Sequence, residues 1–300
     1  MKHRWPVLMA APLLLANADP SDIPIPPTIR AMLDAAIASN NDSEIAVIVK
    51  YARAVDPASG DAVARIADSW RVKRRDDQVR TIREASFVDL WTGRAELGGW
   101  KTTGNSDNTG LSAVIDLNRE GIRWRQKFRA QADYQESANV TTREHYLASY
   151  EPNYKIDDRA YVYGAAQYES DRFLGYYNRY SVSVGAGYSA IKTPRVKLDL
   201  ELGPAFRDTS FTDDTQQSSA AARGSLDFNW KLTNGLSVSQ TASAYVQRFN
   251  STVNGLTALN AKLIGPLSAQ LSYNVQFEST PPVGSVSTDT TTRASLVYSF

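Results

Sequence analysis

The feature that most constrains this sequence is an alternation of apolar and polar residues that begins at Trp91 and continues to the C-terminus. Between Leu267 and Phe277 every second residue is apolar and the residues between them are polar. At the chain end, Ala294, Leu296, Tyr298 and Phe300 share one face, and mostly polar residues occupy the other. Because side chains along a strand alternate between two faces, this pattern predicts strands with one apolar side.

The pattern predicts twelve strands. Their bounds are about 91–103, 109–119, 122–136, 141–154, 159–172, 177–190, 195–208, 217–232, 236–250, 255–263, 267–279 and 288–300. An even number of half-apolar strands is typical of an outer-membrane barrel, in which the apolar face meets lipid and the polar face lines the lumen. Tight connections alternate with longer ones, such as Thr209 to Gln216, which predicts that both ends of the barrel domain lie in the periplasm. We therefore predict an all-β membrane barrel of about twelve antiparallel transmembrane strands.

The N-terminus has the pattern of an export signal. Lys2, His3 and Arg4 precede an apolar run that ends in Ala16-Asn17-Ala18, a small-residue cleavage site. The sequence predicts a signal peptide over residues 1–18, export across the inner membrane and insertion into the outer membrane. The alternative is that this run remains as a membrane anchor, although it is short for a spanning helix.

Residues 19–86 show a helical period instead. Apolar residues recur at helical spacing from Ile29, from Ile45 and from Val63, and the first two stretches are separated by Asn40-Asn41-Asp42-Ser43. We predict three short helices that form a small periplasmic segment before a barrel domain at 91–300. The basic run Arg71–Arg75 has two interpretations, namely contact with anionic lipid headgroups or a solvated helix face.

Composition excludes several function classes. The chain has no cysteine and a net charge of +1, so it has no disulfide framework, no thiolate metal site and no bulk attraction to nucleic acid. No cofactor-binding fingerprint is present, and we predict no cofactor and no metal site.

The predicted lumen face carries many charges. Strand three directs Arg123, Arg125, Lys127 and Arg129 inward in succession. Inward acids are predicted on other strands, namely Asp116, Glu169, Asp199, Glu201, Asp227 and Glu278. A two-residue turn at Glu120-Gly121 would place Asp116 opposite Arg125. Two interpretations stay open: an anion-attracting lining of a narrow pore, or a salt-bridged interior that closes the barrel.

One histidine remains after the predicted signal peptide, His145, and the alternation directs it into the lumen. A hydrolase would need this base beside a nucleophile or an activated water, with a partner such as Asp133 from the neighbouring strand. The alternative is a polar lumen histidine without catalytic role.

Short motifs then suggest a family. Trp91-Thr-Gly93, Leu97, Thr103-Gly-Asn105-Ser106, Ser183-Val-Gly-Ala-Gly-Tyr188, Leu200-Glu-Leu-Gly203 and the final Leu296-Val-Tyr-Ser-Phe300 occur in order along the strands. This set resembles the salt-induced outer-membrane proteins, a family of unknown function, over about residues 91–300. The resemblance implies an outer-membrane barrel and expression under salt stress, and it brings no ligand and no catalytic residue.

The last strand also resembles the closing strand of bacterial outer-membrane barrels, in which a terminal aromatic residue acts as an assembly signal. Tyr298 and Phe300 are the candidates here. The expected partners are outer-membrane lipid, lipopolysaccharide and the barrel-assembly machinery. We expect a non-enzymatic barrel for envelope integrity or the response to osmotic and salt stress. The alternatives are a narrow, weakly selective channel and a barrel hydrolase that uses His145.

Overall fold

The computed structural model describes residues 25–102, 108–281 and 286–300. The predicted signal peptide and the Thr103–Ser106 motif lie outside these residues. The chain divides into two compact units, with the boundary between Thr81 and Ile82. Each unit is described separately below.

The first unit consists of three helices, α1 (Pro27–Ala38), α2 (Asp42–Val55) and α3 (Pro57–Glu84). The predicted break between α1 and α2 is confirmed, because the Asn41 side chain accepts hydrogen bonds from the Ser43 and Glu44 backbone N–H groups and caps α2. α3 is longer than predicted and continues through the basic run. Within that run, Arg71 forms ion pairs with Asp42 and Asp68, at 2.8 and 2.9 Å.

Apolar residues at the predicted helical spacing form the core of this unit. The buried members are Leu33, Ala36, Ile45, Ala52, Val63 and Ala67. None of the described helices has the length and apolar content that a helix needs to cross a membrane.

The second unit is a closed antiparallel barrel, in which β1 pairs with β12 and every other strand pairs with its neighbours in sequence. The described residues form twelve strands, in agreement with the prediction. They are β1 (Trp91–Thr102), β2 (Asn108–Glu120), β3 (Trp124–Ser137), β4 (Val140–Lys155), β5 (Ala160–Asp171), β6 (Tyr176–Lys192), β7 (Val196–Phe211), β8 (Gln216–Lys231), β9 (Leu236–Gln247), β10 (Thr252–Ile264), β11 (Leu267–Glu278) and β12 (Thr288–Ser299).

The barrel is apolar outside and polar inside. Leu97, Leu202 and Leu271 are more than half exposed on the outer surface, whereas the inward Glu96 and Asp133 are buried. A soluble barrel would show the opposite arrangement. The apolar exterior and polar lumen make this an outer-membrane type of barrel.

Two local expectations were wrong. The turn between β2 and β3 is centred on Ile122 and Arg123, because the Gly121 N–H donates to the Trp124 carbonyl at 2.8 Å. The predicted turn at Glu120-Gly121 is therefore displaced by two residues. β7 also extends to Phe211, so the connection to β8 is shorter than the predicted Thr209–Gln216 loop.

We call the end of the barrel that carries the β2–β3, β4–β5, β6–β7, β8–β9 and β10–β11 connections the turn end. The opposite end, which carries the remaining connections, is the loop end.

Candidate functional site

The lumen is the candidate site, because the pleat directs most of the charged strand residues into it. Arg125, Lys127 and Arg129 of β3 lie on its lumen side, as predicted. Arg123 does not: it is exposed in the β2–β3 turn, where its guanidinium donates to the Tyr154 hydroxyl at 3.2 Å. The alternation does not apply to Arg123, because β3 begins only at Trp124.

The displaced turn changes the predicted partner of Asp116. Asp116 lies opposite Arg129 rather than Arg125. Its carboxylate accepts two hydrogen bonds from Arg129, at 2.9 and 3.0 Å, and one from Arg94 of β1 at 2.8 Å. The predicted pairing of Asp116 with Arg125 was therefore wrong.

Below these residues, toward the turn end, ion pairs cross the lumen. Arg125 of β3 reaches Asp199 of β7 at 3.1 Å, and Lys127 lies 2.8 Å from Glu151 of β4 and 3.8 Å from Glu201 of β7. We call this set the turn-side layer.

One cation from the far wall completes the turn-side layer. Arg223 of β8 bridges Glu201 and Glu151, at 2.9 and 3.1 Å. Two of the predicted acids, Asp199 and Glu201, thus belong to this layer. Another predicted acid, Asp227, is exposed in the lumen, and no ion pair joins it to another described residue.

A second layer of charges lies nearer the loop end and is more deeply buried. Arg179 of β6 donates to Glu278 of β11 at 2.9 Å, and both side chains are 4% exposed. Glu169 of β5, another predicted acid, lies beside Arg179 at 4.0 Å and beside His145 at 3.3 Å. This loop-side layer therefore joins strands that are five positions apart in a ring of twelve.

Asp133 of β3 is the other centre of the loop-side layer. It is 1% exposed and accepts hydrogen bonds from Arg293 of β12 at 2.8 Å, from the Ser112 hydroxyl at 2.6 Å and from the Gln131 amide at 2.7 Å. His145 lies directly opposite on β4, as the sequence suggested, with Nδ1 3.3 Å from the Asp133 carboxylate.

The geometry around His145 does not assemble a hydrolase site. Each ring nitrogen faces a carboxylate, Asp133 on one side and Glu169 on the other. The nearby Ser112 hydroxyl donates to Asp133 and not to His145, so the base and the candidate nucleophile are not joined. Because a neutral imidazole has only one N–H donor, contacts with two carboxylates favour an imidazolium held as a structural cation.

Arg207 of β7 is a buried cation of a different kind. It is 2% exposed, and no carboxylate of the described residues lies within ion-pair distance of it. Its guanidinium donates to the Ser181 and Thr252 hydroxyls, at 3.0 and 2.9 Å, and lies 4.0 Å from the Tyr245 ring centroid. Hydroxyl acceptors and the face of an aromatic ring thus take the place of a counter-ion.

The glycine motif of β6 has a packing role in the lumen. A side chain at Gly187 would come within 2.1 Å of the Tyr161 ring, and one at Gly185 within 2.8 Å of the Tyr163 ring. Tyr161 covers this space, donates to Glu201 at 3.1 Å and stacks under the Arg125 guanidinium at 4.6 Å. The glycines therefore make room for the rings that support the turn-side layer.

A cavity of about 480 Å³ remains between the charged side chains. Its wall includes Asp116, Lys127, Asp199, Asp227 and other lumen residues of both charge signs. Among the described residues, no cluster of three or more potential metal ligands is arranged to hold an ion.

The C-terminal strand closes the barrel. The Phe300 N–H and carbonyl exchange hydrogen bonds with Gly93 of β1, at 2.9 and 2.8 Å. The Tyr298 and Phe300 rings stack on the exposed outer surface, with centroids 6.3 Å apart. An assembly role for these two residues stays a prediction.

Sequence reasoning missed Glu151, Arg179, Arg207, Arg223 and Arg293. All five lie on the polar face of a predicted strand, so the alternation was the available signal. The cations of β3 form a run within one strand, whereas these residues are distributed singly over five strands.

Comparisons with known proteins identify one relative and several solved structures that are similar to this chain. The chain is 26% identical to the uncharacterized protein YdiY of Escherichia coli (strain K12) over 227 residues, which cover 75% of this chain and 90% of that protein. Among solved structures, it is similar to the COG4313 outer membrane channel from Pseudomonas putida F1, with a TM-score of 0.44, 10% identity and coverage of 72% of this chain and 100% of that one. It is also similar to the NanC porin, with a TM-score of 0.43, 11% identity and coverage of 69% and 98%.

A family model described as "Protein of unknown function, DUF481" matches residues 95–300. This segment includes almost all of the barrel and begins close to the first motif identified in the sequence. The salt-induced description is not part of that match and stays a prediction. The chain therefore belongs to the DUF481 family of proteins of unknown function.

Proposed function

We propose that this protein is a non-enzymatic outer-membrane barrel that remains closed to solutes at rest and supports envelope integrity, including under osmotic or salt stress. The observation that carries the proposal is the pair of ionic layers across the lumen. A bridge such as Arg179–Glu278 connects opposite walls directly, at a depth where both side chains are buried.

The energetics favour a closed interior. Separating a buried ion pair leaves an uncompensated charge and costs about 3–5 kcal/mol, so a small solute would have to break several such contacts to pass. Twelve strands also enclose less room than the sixteen of an open porin, and long arginine and lysine side chains occupy much of it. A cross-braced barrel of this kind adds rigidity to the membrane without adding a leak.

The proposed location follows from the surface of the barrel. Its apolar exterior requires a lipid environment, and barrels of this type are found in the outer membrane. The proposal includes export through a cleaved signal peptide, insertion by the barrel-assembly machinery and a periplasmic position for the helical unit.

Conductance tests the closed state. We expect the purified full-length protein in planar bilayers to give no ion conductance. Arg179→Ala, which removes a bridge between opposite walls, should raise the conductance if it leaves the barrel folded. Arg248→Ala is the matched control, because Arg248 is an exposed arginine at the loop end that belongs to neither layer. Stable conductance by the unmodified protein would refute the closed state.

A cellular experiment tests the role in the envelope. A strain that lacks the gene should leak periplasmic contents or become sensitive to detergent after a rise in external salt, and the unmodified gene should restore it. Full resistance of the deletion strain at every salt concentration would contradict the proposed role.

The second candidate is a narrow channel, which is favoured by the cavity of about 480 Å³ in the lumen. If the protein conducts, Arg129→Ala should shift the reversal potential toward cations, because Arg129 lines that cavity. The hydrolase alternative is less well supported, because His145 contacts two carboxylates and not the nearby serine hydroxyl.

A further inference from the structure

The mouth of the lumen at the turn end is ringed by lysines. Four of the six strands that run toward this end carry a lysine at or near their last residue, namely Lys155, Lys192, Lys231 and Lys262. The other two, β2 and β12, end in Glu120 and Ser299. Lys197, at the beginning of β7, lies directly opposite Lys192.

Strand pairing places these lysines on the lumen side of the pleat. Lys155 is paired with the inward Tyr161, Lys231 with Ser237 and Lys262 with Ser268. The neighbouring residues on the outer face, such as Trp230 and Leu263, are exposed and apolar. The lysines therefore border the aqueous opening rather than the lipid.

Within the described part of the chain, most of these lysines have no carboxylate partner. Lys155 forms an ion pair with Glu120, and Lys192 donates to the Asp158 backbone carbonyl at 2.6 Å. Lys197, Lys231 and Lys262 are exposed, and no ion pair joins them to another described residue. We call Lys192, Lys197, Lys231 and Lys262 the mouth lysines.

The Lys192–Lys197 pair is the observation that points to a ligand. Like charges directly opposite each other across a ladder destabilise the sheet, and a bound anion would offset this repulsion. Solvated lysines are common at the ends of strands. Here, however, the Lys192–Lys197 pair lies at the same opening as Lys231 and Lys262, so the four mouth lysines concentrate positive charge there.

We propose that the mouth lysines form a binding site for a soluble anion with several phosphate or carboxylate groups, which enters from the compartment that the turn end faces. Rings of lysine or arginine side chains are the means by which barrel openings attract anions. Asp199 and Asp227 lie deeper in the lumen on the same strands, so the site is restricted to the mouth. The inference does not depend on whether the lumen conducts.

Tripolyphosphate is a suitable probe, because it carries several negative charges on a short chain. We expect isothermal titration calorimetry of the full-length protein, in an uncharged detergent, to detect binding that weakens as salt is added. The double variant Lys231→Gln/Lys262→Gln should weaken binding by roughly tenfold or more, since each lysine near a polyanion contributes several-fold.

The control variant removes the same net charge elsewhere. Lys73→Gln/Arg75→Gln changes two exposed cations of α3 and should alter the affinity by less than about twofold. A heat-modifiability gel shift verifies that each variant barrel is folded, and Lys231→Arg/Lys262→Arg should restore binding. Equal losses in the two double variants, or no binding by the folded unmodified protein, would overturn the proposal.

A lipid arm distinguishes the two sources of phosphate. In vesicles of phosphatidylcholine, with or without phosphatidylglycerol, tripolyphosphate should bind with similar affinity if the lysines border the aqueous mouth. If phosphatidylglycerol abolishes binding and the mouth double variant loses association with that lipid, the lysines bind headgroups and the soluble-anion site is wrong.

Discussion

The Arg179–Glu278 bridge provides a sharp test of the cross-braced lumen. Its two side chains are 4% exposed and join β6 to β11 at 2.9 Å. Arg179→Met preserves most of the side-chain volume but removes the charge. Glu278 would retain the Asn250 amide as a partner, and Glu169 would retain His145. Because one member of a buried pair is then left uncompensated, we expect unfolding to become easier by about 3–5 kcal/mol.

The double variant separates the ion pair from the burial of its members. Arg179→Met/Glu278→Met removes both charges and leaves an apolar contact of similar size. Replacement of a whole buried pair is often neutral or stabilising, so the double variant should lose less stability than Arg179→Met alone. The excess over additivity is the coupling energy of the pair.

Reversible urea unfolding in lipid vesicles, followed by tryptophan fluorescence, measures these differences. Arg248→Met is the control, because Arg248 is exposed at the loop end, and its effect should stay within about 0.5 kcal/mol. If the stability losses of Arg179→Met and of Glu278→Met simply add in the double variant, Arg179 and Glu278 do not interact across the lumen. The proposed closed state of the barrel would then be refuted at its main contact.

Three other predictions follow from the fold. Leu271→Arg places a charge on the outer surface and should destabilise the barrel by about 2–4 kcal/mol in the same unfolding assay. Thr241→Arg, on the exposed lumen side of β9, should cost far less stability. Equal losses in the two variants would mean that the faces are misassigned. A cysteine at Asp213 should react with an impermeant reagent on intact cells and one at Asn234 should not, because they lie in connections at opposite ends of the barrel; labelling of Asn234 would invert the topology. Hydrogen bonds from the Ala160 and Arg159 backbone N–H groups, at 2.7 Å each, hold the pKa of Asp157 below its usual value. Since the folded-state pKa is the lower one, this carboxylate stabilises the turn above the unfolded pKa, and the contribution disappears as the pH falls through the folded pKa. Asp157→Asn should remove that part of the pH dependence of unfolding, and an unchanged pH profile would refute the assignment.

The sequence predicted which face of each strand points inward because that information is local. Side chains alternate at every residue of a strand, so Lys127 and Arg129 could be assigned to the lumen without knowledge of their neighbours. The strand count and most strand bounds follow for the same reason, and so does the helical unit, whose core residues repeat at helical spacing.

Which residues pair across a hairpin was harder to predict from the sequence. The displacement of the β2–β3 turn by two residues left the faces of the residues within β2 and β3 as predicted, since the register moved by an even number. It nevertheless exchanged Arg125 for Arg129 as the partner of Asp116. The energy difference between adjacent turn positions is small and depends on backbone geometry, which the alternation does not encode.

Contacts across the lumen were decided by the tertiary structure alone. Arg179 and Glu278 are 99 residues apart in the chain and meet because closure of twelve strands brings β6 and β11 to opposite walls at the same depth. That depth depends on how the strands tilt and stagger around the whole barrel. The sequence by itself therefore determined a polar lumen inside an apolar wall. Only the closed barrel decided which charges neutralise each other, and which lysines at its mouth form no ion pair with another described residue.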